Sequence, residues 1–259
     1  MAKERLDKLL LDRGLAQSRE RAKALIMAGQ VVVDDHLADK AGQMVASDAE
    51  IRLKGEVLPF VSRGGLKLQK ALDEFAIDVS GLVVMDVGAS TGGFTDCLLQ
   101  RGAEKVFAVD VGYGQLAWKL RQDERVVNLE KTNIRYLEPD RLLETPDMAV
   151  IDASFISLEK VLPATIRLIR DGGVVVALIK PQFEVGRGEV GKGGVVRDGK
   201  KHAEVIAAIT ALAAELELTV RGVTESPILG PKGNKEFLIY LEKKGRSPAG
   251  DAAENNAIT

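Results

Sequence analysis

The 259-residue chain reads as an α/β protein, a mostly parallel, doubly wound sheet preceded by a small α+β unit. Two observations predict this. From about Val83 onward, strand-sized apolar runs alternate with Gly-rich turns and helical stretches, the rhythm of a sheet covered on both faces. Before that, residues 1–60 carry two short amphipathic helix patterns followed by short β-branched runs.

In the small unit, a first helix is expected over about 5–13, with Leu6, Leu9 and Leu10 at helical spacing and Gly14 ending it. Ser18 can cap a second helix whose apolar set is Ala22, Leu25 and Ile26, with Gly29 at its end. Arg19 and Lys23, four apart, project from neighbouring turns of that helix. Val31–Val33, an Asp-rich turn and Ile51–Leu53 then form a small sheet.

In the large unit the strands fall at 82–87, 105–110, 125–129, 148–152, 174–179, 218–224 and 236–242. The last of these is taken as antiparallel. The domains are accordingly 1–60 and 61–243, and 244–259, rich in Ala, Gly and Asn without periodicity, reads as a loose tail.

Lys and Arg number 36 against 38 Asp and Glu, a net charge of −2, which excludes a uniformly basic coat for nucleic acid. The balance is uneven along the chain. Residues 1–30 hold seven basic and four acidic side chains, residues 31–60 three and six, and residues 180–201 six and three. Locally positive stretches on a neutral protein can dock a polyanion, or they can be solvated helix faces. A single cysteine, Cys97, and two histidines, His36 and His202, supply no zinc set; no metal is expected and all three read as structural. Apolar runs such as Val174–Ile179 are far short of a membrane span, and the charged start lacks the apolar core of a signal peptide. The expected location is the cytoplasm, with no membrane partner.

The run Asp86-Val87-Gly88-Ala89-Ser90-Thr91-Gly92-Gly93-Phe94 sits where the first large-domain strand hands over to a helix. Glycines there let backbone N–H groups approach a ligand. A dinucleotide fingerprint needs Gly at its first, third and sixth positions. Counting from Gly88, the third is Ser90, which argues against a pyrophosphate. Asp86 ahead of the loop suits a cationic ligand, and Asp110, ending the second strand beside Val111, suits a ribose diol. Together these favour S-adenosylmethionine, although a glycine turn of this kind can also bind nothing.

Four further residues converge by topology. Asp152 ends the fourth strand and Lys180 the fifth, at the carboxyl edge where open α/β sheets bind ligands. Glu236 begins the last strand and joins that edge if the strand is antiparallel. Lys67, at the start of a helix with apolar face Leu68, Ala71, Leu72 and Phe75, begins there too. Two lysines and two carboxylates can form a catalytic set or merely a salt-bridge cluster.

These residues carry a resemblance. The pattern Arg5-Leu6-Asp7 followed by Ser18-Arg19 through Gly29, Val31 and Val33 resembles the RNA-binding domain first known from ribosomal small-subunit protein four, over about residues 3–60. It departs from that family at Asp35, where Gly is usual. The large domain resembles the FtsJ-like 2′-O-ribose methyltransferases, whose Lys-Asp-Lys-Glu tetrad falls on Lys67, Asp152, Lys180 and Glu236. Taken whole, from about residue 3 to 242, the chain resembles the TlyA (hemolysin A-like) family. It does so through Val61–Gly65, the Gly-Ala-Ser-Thr-Gly-Gly-Phe-Thr core, Asp110–Trp118, Ser154–Leu158 and Lys180–Gly186. The resemblance implies S-adenosylmethionine-dependent 2′-O-methylation of a cytidine in ribosomal RNA, with ribosomal RNA or a ribosomal subunit as partner. Its members differ in whether they modify the large subunit alone or both. It implies a cofactor site at Asp86, Gly88, Ser90, Gly92, Phe94, Asp110 and Val111, and RNA contacts at Arg19 and Lys23, with Arg5 nearby.

A ribose hydroxyl is a poor nucleophile, so the enzyme must align it and draw off its proton. Lys180 is the expected base. A free lysine has a pKa near ~10.4, which neighbours must lower; Lys67 supplies a positive charge, and Asp152 and Glu236 orient the lysines and the ribose. Arg63, between the domains, and Arg187, Lys192 and Arg197, in a Gly-rich loop, are candidate phosphate contacts or parts of an ordinary connection. Trp118 and Phe94 are expected in the core or the pocket wall. The rival readings are a methyltransferase for protein or small molecules, an RNA-binding assembly factor without activity, and a membrane-active hemolysin.

Overall fold

A computed structural model describes residues 3–16, 18–34, 36–54, 59–186, 188–191 and 193–245. Asp35, Arg187, Lys192 and the tail from 246 lie outside the described residues. The chain divides into two compact units. One comprises Met1–Pro59 with Gly191–Val195 and Pro231–Gly233; the other comprises Phe60–Val190, Val196–Gly230 and Asn234–Thr259. The two short segments that join the first unit carry no distinguishing signal in the sequence.

In the first unit, β1 (Lys3–Arg5) leads into α1 (Leu6–Asp12), followed by α2 (Arg19–Met27), β2 (Val31–Val33), β3 (His36–Ala38), β4 (Met44–Ala46) and β5 (Ile51–Leu53). Ser18 Oγ accepts the Arg21 N–H at 3.1 Å, satisfying one of the donors left open at the start of α2. β2 lies between β3 and β5, antiparallel to both, with Val31 opposite Leu53 and Val33 opposite Ile51. Leu6, Leu10, Ala22, Ile26 and Val31 are wholly buried in the core these elements enclose. β1 pairs with β4 instead. Its Lys-Glu-Arg sequence shows no apolar alternation, so neither strand of that ladder was expected.

The second unit contains α3 (Gly64–Glu74), β6 (Val83–Val87), α4 (Gly93–Gln100), β7 (Lys105–Val109), α5 (Trp118–Arg121), β8 (Val126–Leu129) and β9 (Met148–Ile151). It continues with α6 (Leu158–Leu168), β10 (Val174–Ile179), α7 (Pro181–Glu184), α8 (Gly199–Glu215), β11 (Leu218–Glu225) and β12 (Phe237–Lys243). Between β8 and β9 the chain makes two 3-10 turns, Ile134–Tyr136 and Pro139–Arg141, in place of an α-helix. The seven strands are ordered β11-β12-β10-β9-β6-β7-β8. β10, β9, β6, β7 and β8 run parallel, while β12 is antiparallel to β10 and β11.

Alternation along the strands splits the interior in two. Met85, Phe107 and Ile151 pack with α6 and α8 on one face. Val84, Val106 and Val150 pack with α3 and α4 on the other. The order of strands reverses at β6, where a crevice opens beyond the carboxyl ends. The antiparallel β12 matters for the same edge. Its first residue, Phe237, pairs with Ile179, the last of β10, so the adjoining Glu236 and Lys180 arrive together.

Phe107 is fully buried at the centre of one face. Replacing it with Ala is expected to destabilise this unit by about 3–5 kcal/mol, through lost burial and the cavity left behind. Urea unfolding followed by circular dichroism reads this directly; a loss below about 1 kcal/mol would show that the sheet does not depend on this packing.

Candidate functional site

Four charged side chains meet at the carboxyl edge of the sheet. Lys67, on the first turn of α3, and Lys180, directly after β10, have side chains only 7% and 6% exposed. Glu236, just before β12, is completely buried. Lys67 Nζ donates to Glu236 Oε2 at 2.7 Å and stands 4.0 Å from Asp152 Oδ2. Asp152, directly after β9, places its other oxygen 2.5 Å from Lys180 Nζ. That contact is an ion pair. Lys180 Nζ also donates a hydrogen bond to Ser154 Oγ, at 2.9 Å. With both lysines protonated, two positive and two negative charges compensate one another where water is largely excluded, the condition under which such groups can be buried.

Two glycines make room for this set. Gly230 lies so close to Glu236 that an added Cβ would sit 2.1 Å from its Oε1. At Gly88, with φ +86°, a Cβ would meet the Asp152 carbonyl oxygen at 2.8 Å. Sequence reasoning found Gly88 from its loop but missed Gly230, which has no motif of its own. Gln182, also missed, donates weakly to Glu236 Oε1 at 3.4 Å, and its own Oε1 has no partner among the described residues.

Beside the tetrad lies a cavity of about 460 Å³ at the carboxyl ends of β6, β7, β8 and β9. Gly88, Ser90, Asp110 and Val111 line it, together with Asp152 and Ser154, so the cavity and the charged cluster share a wall. Among the described residues its lining includes two carboxylates and no Lys, Arg or His. These carboxylates would repel a phosphate, whereas a cationic, phosphate-free nucleoside such as S-adenosylmethionine fits both size and charge. Gln115, Asn133 and Phe155 also line the cavity and were not assigned. Asn133 could have been found by extending the edge rule to the strand ending at Leu129.

Asp110 fastens the loop as well as lining the cavity. Its Oδ2 accepts the Ser90 N–H at 2.8 Å and its Oδ1 the Gly112 N–H at 2.6 Å. Asp86, Gly92 and Phe94 do not line the cavity. Asp86 is fully buried, with Oδ2 accepting the Thr95 hydroxyl at 2.6 Å and Oδ1 without a partner among the described residues. Burial, assisted by the charge on Asp152, pushes its carboxyl up to about 7, against the lowering effect of Thr95. Phe94 is core, as expected, but Trp118 is 72% exposed and outside the cavity wall. In this segment Leu116 and Leu120 turn inward and leave the indole outside. Cys97 is buried, which pushes its thiol up to about 12 and leaves it unreactive. His202 is buried against the Val196 carbonyl oxygen, and His36 is exposed.

The expected RNA contacts are arranged differently from one another. Arg5 Nε lies 3.0 Å and Arg19 3.3 Å from the buried carboxylate of Asp7, while both guanidinium groups stay about half exposed. The Arg5 hydrogen bond is the main influence holding Asp7 below the usual carboxylate range. Lys23 and Arg197 are exposed, and Arg63 is half-buried immediately before α3. Among the described residues no helix is long and apolar enough to cross a membrane.

Comparison with known proteins places these features in context. The model of the FtsJ-like methyltransferase family matches residues 60–243, and that of the S4 domain matches residues 4–51. YqxC of Bacillus subtilis, provisionally named an rRNA methyltransferase, is 51% identical over 99% of this chain and 92% of its own length. The 16S/23S rRNA (cytidine-2′-O)-methyltransferase TlyA of Mycobacterium tuberculosis is 48% identical over 92% of this chain and 89% of its own. A solved structure from Streptococcus thermophilus, provisionally named a hemolysin, is 49% identical, covering 96% of this chain and 93% of the other with a TM-score of 0.75.

Asp86 gives a test of the buried electrostatics. An acid whose native pKa is about 7 and whose unfolded value is near ~3.9 binds a proton more tightly when folded, so its contribution to stability falls as pH rises between the two. Asp86→Asn should therefore be more stable than the parent at pH ~8, by up to about 4 kcal/mol, with the gain vanishing near pH ~4. Thermal unfolding of both proteins across that range checks it; a gain independent of pH would contradict the assignment.

Proposed function

The chain belongs to the FtsJ-like methyltransferase family, and we propose that it transfers a methyl group from S-adenosylmethionine to the 2′-hydroxyl of a cytidine in ribosomal RNA. The observation that carries the reading is the charge-compensated cluster of Lys67, Asp152, Lys180 and Glu236 beside a cavity lined by carboxylates. When bound, S-adenosylmethionine supplies a methyl group already activated on a sulfonium.

The protein's task is to position and deprotonate the ribose. Gly88, Ser90, Asp110 and Val111 form the cofactor wall, with Asp110 holding the loop through Ser90 and Gly112. Asp86, behind that wall, acts on the cofactor site through the loop rather than by contact. Lys180, entering the step as the free amine, takes the hydroxyl proton. Asp152 holds Lys180 and reaches towards Lys67, which Glu236 holds from the other side. Lys67 thereby keeps a positive charge near the oxygen as negative charge develops on it. Phe155, 90% exposed on the cavity rim and 5.1 Å from the Phe183 ring, offers an aromatic face to an unstacked base.

Residues 1–60 serve as the RNA-binding module and residues 61–243 as the transferase. In the first, Asp7 presents Arg5 and Arg19 in a fixed arrangement and Lys23 stands exposed beside them, a set suited to phosphates. Arg63, Arg187 and Arg197 are further candidates for the same backbone. The substrate is either free ribosomal RNA or an assembled subunit, and the compartment is the cytoplasm.

Two outcomes follow. With labelled S-adenosylmethionine and unmethylated ribosomal subunits, Lys180→Ala should lower turnover at least about 10²-fold while calorimetry shows cofactor binding unchanged. Wild-type turnover in that variant would remove Lys180 from the role. For the small domain, Lys23→Ala should weaken RNA binding and make log K against log salt less steep by about one; an unchanged slope would place Lys23 outside the RNA interface.

A further inference from the structure

Lys180 Nζ is almost enclosed, and its few neighbours differ in the control they exert over it. Asp152 Oδ1 is nearest, in an ion pair at 2.5 Å. The Asp152 carbonyl oxygen accepts at 3.5 Å, the outer limit of a useful bond. Ser154 Oγ accepts at 2.9 Å with the geometry of a hydrogen bond. A carboxylate at this distance takes one N–H and the Ser154 hydroxyl takes a second, so the two acceptors together set the rotation of the amine.

Direction matters for a base. To receive a proton, Nζ must be a free amine with two N–H groups and one lone pair, and the lone pair must face the ribose hydroxyl. Ser154 is exposed and lines the cavity while its hydroxyl holds the amine, so it links the cavity wall to Lys180. The following residue, Phe155, has φ +63°, a conformation unusual for a bulky side chain. It turns the chain immediately after Ser154.

We propose that Ser154 is a positioning residue for Lys180: with Asp152 taking one N–H, the Ser154 hydroxyl accepts the other, and the two together fix rotation about Cε–Nζ and leave the amine lone pair aimed at the ribose 2′-hydroxyl. The inference rests on the reading of Lys180 as the base. Proton balance is simple: the hydroxyl proton passes to the Lys180 lone pair, and Ser154 neither gains nor loses one. Without Ser154, the donor that it holds turns towards the Asp152 carbonyl oxygen and carries the lone pair out of line. The charged groups around the amine, Asp152, Lys67 and Glu236, are unaltered by the change.

The test is steady-state methyl transfer to unmethylated ribosomal subunits by the full chain and its Ser154→Ala and Ser154→Thr variants. Cofactor affinity is measured by calorimetry, and folding by thermal unfolding. Ser154→Ala should lower kcat by about 10- to 100-fold, the scale of a misaligned reacting group, with KM for RNA and Kd for S-adenosylmethionine unchanged. Ser154→Thr, which keeps the hydroxyl, should recover most of the rate. A kcat in Ser154→Ala within about twofold of the parent would overturn the proposal, being a change of less than ~0.5 kcal/mol in the barrier. A loss confined to KM or cofactor Kd, or a folded Thr variant as slow as the Ala variant, overturns it as well by making Ser154 a wall residue. An inert parent chain is a separate result, which overturns the methyl-transfer reading and this inference with it.

Discussion

Asp152 stands between two buried lysines, 2.5 Å from one and 4.0 Å from the other. Much of the site depends on that placement. Each lysine would be costly to bury alone, since removing an ammonium from water carries a penalty of several kcal/mol. Asp152 offsets both charges in part, and Glu236 completes the balance for Lys67. The neutral sum allows the cluster to exist in a largely dry place, where each remaining charge acts more strongly on a reacting group.

The sheet topology brings those charges together from distant parts of the chain. Parallel β9 and β10 deliver Asp152 and Lys180 to one edge, and the antiparallel β12 brings Glu236 back to it. Lys67 arrives on α3, packed over the same sheet face as Val84 and Leu178. Asp152 then joins two functions. One side of it balances the lysines, while its backbone carbonyl presses close to Gly88 and its residue lines the cavity. The glycine loop, the cofactor cavity and the base therefore share a boundary, and a side chain at Gly88 would disturb all three.

Much of the fold was legible because its physics is local. Fully buried parallel strands read as continuous apolar runs, so Val83–Val87 and Val174–Ile179 announced themselves. Leu6, Leu10 and Ile26 revealed their helices by spacing alone. β1 escaped because three charged residues owe their strand to a partner, β4, that the sequence does not advertise. In the site, the edge rule brought the tetrad into one neighbourhood, but pairing within it is a matter of distances. The Lys67–Glu236 bond, the intermediate position of Asp152 and the Ser154 contact follow from side-chain placement. Asp86 shows the same limit: its acid was visible, but not its enclosure beneath the loop. Trp118 shows it in reverse, since an aromatic residue that looked interior lies on the surface.

The chemistry of the site is read from where the methyl group goes. The most direct measurement incubates the protein with isotopically labelled S-adenosylmethionine and unmethylated ribosomal subunits, then identifies the modified nucleoside by nuclease digestion and mass spectrometry. Label on 2′-O-methylcytidine in ribosomal RNA is the predicted result. Label on a nucleobase, on protein, or nowhere at all would contradict it.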